Sequence, residues 1–107
     1  MNVDEWGKQV ADPLVRLVKR CICNSFPQLD NLELGYLRTD RYVQGVGSKY
    51  CILNRGTKER YANIFVLGGS YVSMRLYLHP LIKNSIPNGC FDPLRELCDL
   101  TIDEIAN

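Results

Sequence analysis

Apolar and polar positions change their spacing twice along the chain, and the changes divide it into three regions. Over residues 3–25, Trp6, Val10, Leu14, Leu17, Val18 and Cys21 recur at steps of three and four. That spacing puts them on one stripe of a helix with 3.6 residues per turn, and Lys8, Arg16, Lys19 and Arg20 fall mostly off it. Asp12-Pro13 interrupts the stripe in the manner of a helix start, with aspartate as cap and proline in the first turn. The pattern fits two helices, about 3–11 and 13–24, or one kinked helix. Ser25-Phe26-Pro27 ends it, because the residue before a proline is pushed out of the helical basin.

From Leu29 to Leu78 the period becomes two. Leu32, Leu34 and Tyr36 alternate with Glu33, Gly35 and Leu37, which predicts a strand over 32–38. Arg38-Thr39-Asp40-Arg41 reads as a turn. Tyr42-Val43-Gln44 opens a second run, broken at Gly45–Ser48, and Lys49–Asn54 is a third, strongly β-type run. Arg55-Gly56-Thr57-Lys58 supplies turn chemistry before two further runs, 61–67 and 70–79, that flank Gly68-Gly69. A two- or four-residue loop about the glycines would set Leu67 opposite Ser70 and Phe65 opposite Val72, and is expected over a three-residue loop, which would change the parity and set Phe65 against Ser73. Tyr61, Phe65, Leu67, Val72, Met74, Leu76 and Leu78 would then face the core. Tyr71, Ser73, Arg75, Tyr77 and His79 would share the outer face with Ala62, Ile64 and Val66.

After His79-Pro80 the alternation dissolves. Leu81-Ile82 is a short apolar patch and Pro87-Asn88-Gly89 is a turn by composition. Asp92-Pro93 repeats the earlier helix start, and Leu94, Leu97, Cys98, Thr101, Ile102 and Ile105 make the stripe of a closing helix. A capping box at Thr101–Glu104 offers a place for that helix to restart. Short loops between strands favour antiparallel pairing, since parallel neighbours need a crossover of about a dozen residues. The expected fold is therefore α+β: an N-terminal helix or two short helices, an antiparallel sheet of four to five strands, and a C-terminal helix packed on one face.

Length sharpens this to one domain, 1–107, large enough to bury a core. A net charge of +1 provides no bulk attraction to nucleic acid or to an anionic membrane. No apolar run reaches the length of a membrane span, and residues 1–10 hold two acids and no apolar core, unlike a secretory signal. Five cysteines, an odd number without a CxxC pair, suggest reducing cytosol rather than a disulfide scaffold.

The inventory for catalysis is thin. His79 is the one histidine, and no local pattern gives it a nucleophile. Cys21 and Cys23 would point apart on a helix, and the remaining thiols lack metal-ligand spacing. Gly45–Lys49 lacks the order of a phosphate-binding loop, and a strand turn or bulge explains its glycines. No catalytic residue, metal or cofactor is expected.

Charge distribution carries more information than its sum. Arg38, Arg41, Lys49, Arg55, Lys58 and Arg60 face only Asp40 and Glu59 in that stretch. The tail from Phe91 holds Asp92, Glu96, Asp99, Asp103 and Glu104 against Arg95. Tyrosines 36, 42, 50, 61, 71 and 77 interleave with the basic set and follow it. Tyrosine and arginine are enriched at protein–protein hot spots. The expectation is a non-catalytic cytosolic protein-interaction module, a small inhibitor or adaptor. Tyr71, Arg75 and Tyr77 would make its contacts, and Arg38, Arg41, Arg55, Lys58 and Arg60 would form a steering patch. The alternative is single-stranded nucleic-acid binding, in which cations meet phosphate and rings stack on bases. A small Cys/His-dependent enzyme is the third reading. The segregated charge also permits a homodimer.

Overall fold

The computed structural model describes residues 2–29 and 31–106. It is an α+β structure with a helical layer on one face of a five-stranded sheet in the order β1-β2-β3-β4-β5. The strands are β1 (Leu32–Tyr42), β2 (Gly45–Asn54), β3 (Arg60–Gly68), β4 (Val72–Leu78) and β5 (Asp99–Glu104). The first four form an antiparallel meander, and β5 joins β4 in parallel. Among the described residues, no helix is long and apolar enough to cross a membrane.

The N-terminal layer comprises α1 (Val3–Trp6), a π-helical segment (Gly7–Ala11) and α2 (Asp12–Ser25). Asn2 caps it by accepting from the Glu5 backbone N–H at 2.8 Å. Of the two arrangements expected around Asp12-Pro13, the single helix forms and the chain does not break there. Pro13 has no N–H to donate, and its ring would crowd the carbonyl four residues back. The wider turn, in which the Asp12 N–H reaches Gly7 O, accommodates both. The extra residue also rotates the buried stripe. Leu14, Val15, Val18, Cys21 and Ile22 are buried in α2, while Leu17, Val10 and Trp6 are only half-buried. A fully buried aliphatic side chain contributes about 1.5–3 kcal/mol, so this face holds the helix on the sheet.

Several strand boundaries differ from expectation. Residues 38–41 continue β1 rather than turning, helped by a bulge between Tyr36 and Arg38. The turn is Val43-Gln44, and β2 runs unbroken through Gly45–Ser48. Gly45 has φ +149°, and a side chain there would overlap the Gly68 carbonyl.

The Gly68-Gly69 bend does hold an antiparallel ladder, but in another register. Gly68 pairs with Val72, and Gly69, Ser70 and Tyr71 form the loop. Neither glycine has positive φ. A Cβ at 68 would collide with the Trp6 indole and one at 69 with the Gln44 carbonyl, so close approach rather than turn geometry demands glycine. The change reverses the parity of β3. Ala62, Ile64 and Val66 join Met74, Leu76 and Leu78 in the core, and Phe65 moves to the outer face opposite Arg75. Arg75 and Tyr77 face outward as expected.

The closing helix is much shorter than expected. After α3 (Pro80–Ser85), α4 is the single turn Asp92–Arg95, and Asp99–Glu104 become a strand, so no capping box forms at Thr101. Residues 79–98 provide the long crossover that parallel pairing needs. Ile82, Phe91 and Leu94 from it are buried in the same cluster as α2. Both helical segments thus cover one face, and the other face is left open.

Candidate functional site

The register defines what the open face presents. Arg38, Lys49, Phe65, Arg75 and Thr101 lie in one row across all five strands. The row toward the β2–β3 turn is Gly35, Cys51, Asn63, Tyr77 and Asp103. The row on the other side is Asp40, Gly47, Leu67, Ser73 and Asp99. Directly opposed residues share a face, so these rows form one surface.

A concavity of about 470 Å³ opens on this surface, within the range of small binding clefts. Phe65, Tyr42, Tyr77 and Leu37 supply its apolar lining, and Asn63, Lys49, Arg60 and Arg75 its polar lining. Leu37 reaches it from the β1 bulge and is 45% exposed. The Tyr42 and Phe65 rings meet edge-to-face at 5.7 Å between centroids. Gly47 makes that contact possible, because a Cβ there would lie 2.7 Å from Tyr42 and 2.8 Å from Phe65. The Lys49 ammonium sits 5.9 Å from the Phe65 centroid, at the outer limit of a cation–π contact. Cys51 is on the same face yet buried, its sulfur lying against the bare Cα of Gly35.

The cations differ in how they are engaged. Arg38 is bound by Asp40 at 2.5 Å. That hydrogen bond holds the Asp40 carboxyl below its usual range and raises the guanidinium further. Arg60 donates to Asn63 Oδ1 at 3.0 Å. Lys49, Arg60 and Arg75 have no carboxylate within ion-pair distance among the described residues. A cation without an internal counter-ion on an uncovered sheet face is free to receive an external one.

The structure brings Arg75, Tyr77, Arg38 and Arg60 together on one face and separates the rest of the predicted set. Arg41 pairs with Val46 on the opposite, helix-bearing face, because the Tyr36/Arg38 bulge shifts the parity of β1. Arg55 and Lys58 belong to the β2–β3 turn, where Lys58 (φ 65°) lies 3.7 Å from Glu33. Tyr71 is in the β3–β4 loop, 68% exposed, and borders a separate depression with Val43 and Gln44. The steering patch is therefore dispersed. Sequence reasoning missed Phe65, Leu37 and Asn63 as surface groups, and counted Tyr42 only among the tyrosines of the basic stretch. Phe65 was hidden by the hairpin register, which one residue more or less in a loop inverts.

Two other polar clusters lie outside this face. His79 caps α3, its Nδ1 accepting the Leu81 N–H at 3.1 Å, while Nε2 lies 3.2 Å from Glu59. Under the helices, the Tyr50 hydroxyl donates to Asp12 Oδ1 at 2.5 Å, and Thr39 and Ser48 share a hydrogen bond of 2.6 Å. Burial first, and then the bond to Asp12, raises the Tyr50 phenol well above its ordinary value. No protein-family model, curated protein or solved structure matches this chain.

Proposed function

We propose that this protein is a non-catalytic interaction module that binds another protein across the open face of its sheet, acting as a small inhibitor or adaptor. The observation that carries the reading is the central row, where Lys49 and Arg75 flank Phe65 with no carboxylate partner among the described residues. An aromatic anchor between unsatisfied cations is the composition of a binding hot spot. Five free thiols accord with the reducing cytosol included in this reading.

Single-stranded nucleic acid is the second reading, favoured by open rings beside free cations. Acids on the same face count against it: Glu33 and Asp40 on β1, Asp99 and Asp103 on β5. A continuous phosphate chain crossing the strands would meet those carboxylates. A homodimer through this face would bring two cationic centres together, which is unfavourable for the same reason.

Affinity capture from host extract, with and without nuclease, tests the proposal. The wild-type chain should retain a protein that survives nuclease and that Arg75→Ala and Tyr77→Ala release. Nuclease-sensitive capture, or retention unchanged by both substitutions, would refute it.

A further inference from the structure

We propose, on the reading that the open face docks a protein, that the occupant is an extended acidic segment lying along β3. One of its carboxylates would engage Lys49 and Arg75, and a second would engage Arg60. The first contact follows from register. Lys49 and Arg75 oppose Phe65 from either side, so their backbones are two strand spacings apart, roughly 10 Å, and long side chains from both can converge on one carboxylate above the ring. Arg38, in the same row, is already neutralised by Asp40.

The second contact follows from the direction of the strand. Arg60 precedes Phe65 by five residues on β3, but the register shift between Ile52 and Leu53 pairs it with Leu53, four positions from Lys49, so it stays on the open face roughly 13 Å away. One guanidinium nitrogen bonds Asn63, which fixes the group over the concavity and leaves its other donors available. A partner segment in extended conformation also advances about 3.3 Å per residue and shows alternate side chains to one side. Acids at positions i and i+4 therefore both point at the sheet, and flexible side chains cover the remaining distance. Position i+2 comes over Asn63 in the concavity whose lining includes Leu37, Phe65 and Tyr77, so an apolar side chain is accommodated there. Local charge selects this occupant: two separated carboxylates meet cations, whereas a polyanion running across the strands would reach Asp99 and Asp103.

Fluorescence anisotropy with the full chain and labelled peptides tests the inference. One peptide carries glutamates at i and i+4 with leucine at i+2. A second has the same composition with the glutamates at i and i+3, and labelled oligo(dT) is the third probe. The i,i+4 peptide should bind at low salt, and Lys49→Ala, Arg75→Ala and Arg60→Ala should each weaken it by about tenfold. Arg20→Ala, a charge-matched change on the exposed side of α2, should have no effect. Melting temperatures should be alike throughout, since the substituted residues are exposed.

Equal binding of the two peptides, or no binding of either, overturns the extended-segment inference. If Arg75-dependent capture from extract persists in that case, the docking face itself still stands. Binding of oligo(dT) that competes with the peptide and is weakened by the same substitutions overturns both.

Discussion

At the scale of single residues, the part-buried Tyr50–Asp12 contact and the bare Cα of Gly47 have the clearest measurable consequences. The Tyr50 phenol is raised above its ordinary value of 10.0 in the folded state, by burial and by the Asp12 carboxylate. A raised folded value means the neutral form is favoured by folding. Its contribution is complete below pH 10 and is lost as pH climbs through the raised value. Tyr50→Phe should cost about 1.5–3 kcal/mol at neutral pH, the worth of a hydrogen bond to a charged acceptor. The gap between wild type and variant should narrow above pH 10, followed by urea unfolding across that range. Gly47→Ala should cost about 1–3 kcal/mol, because the new methyl separates two packed rings. It should also weaken peptide binding, since the Phe65 ring would be displaced.

At the scale of elements, β3 provides the decisive comparison. Ile64 is buried and Phe65 half-buried on opposite faces. Ile64→Ala should therefore cost about 2–5 kcal/mol, while the larger deletion Phe65→Ala costs less and mainly impairs binding. Calorimetry of the two variants would settle the register, and the reverse order would contradict it. What the sequence reveals here depends on how local the cause is. The helical stripe, the strand character of residues 61–78 and the outward placement of Arg75 and Tyr77 all follow from short-range periodicity. The pairing across Gly68-Gly69 does not, because those glycines answer to the Trp6 indole and the Gln44 carbonyl, which lie far away in sequence. Likewise Asp99–Glu104 carries both a helical stripe and an apolar–polar alternation. The unpaired edge of β4, a tertiary feature, selects the strand. Phe65 changed faces for this reason, whereas Arg41, expected in a turn, lies in β1 on the helix-bearing face because of the bulge between Tyr36 and Arg38.

At the scale of the molecule, a net charge of +1 conceals a surface on which charge is arranged rather than absent. On the open face Arg38, Lys49, Arg60 and Arg75 are balanced by Glu33, Asp40, Asp99 and Asp103, with the cations that lack a carboxylate partner among the described residues central and the acids toward both edges. Association with an acidic segment should weaken with salt, with a slope limited to the few ion pairs formed. Titration at rising salt would separate this from nucleic-acid binding, where each phosphate contact adds to the slope and the fall is far steeper.

The same edges bear on solubility. An open β-sheet offers its outermost strands as templates on which other chains can grow into fibres. Here one margin, β5, is short and displays aspartates at 99 and 103, and the other, β1, is interrupted by the irregularity beside Leu37. Neither presents the long, flat, uncharged ladder that fibre growth requires. A chain that leaves an apolar groove uncovered on its sheet thereby confines stickiness to that face and keeps it off the borders, where it would propagate.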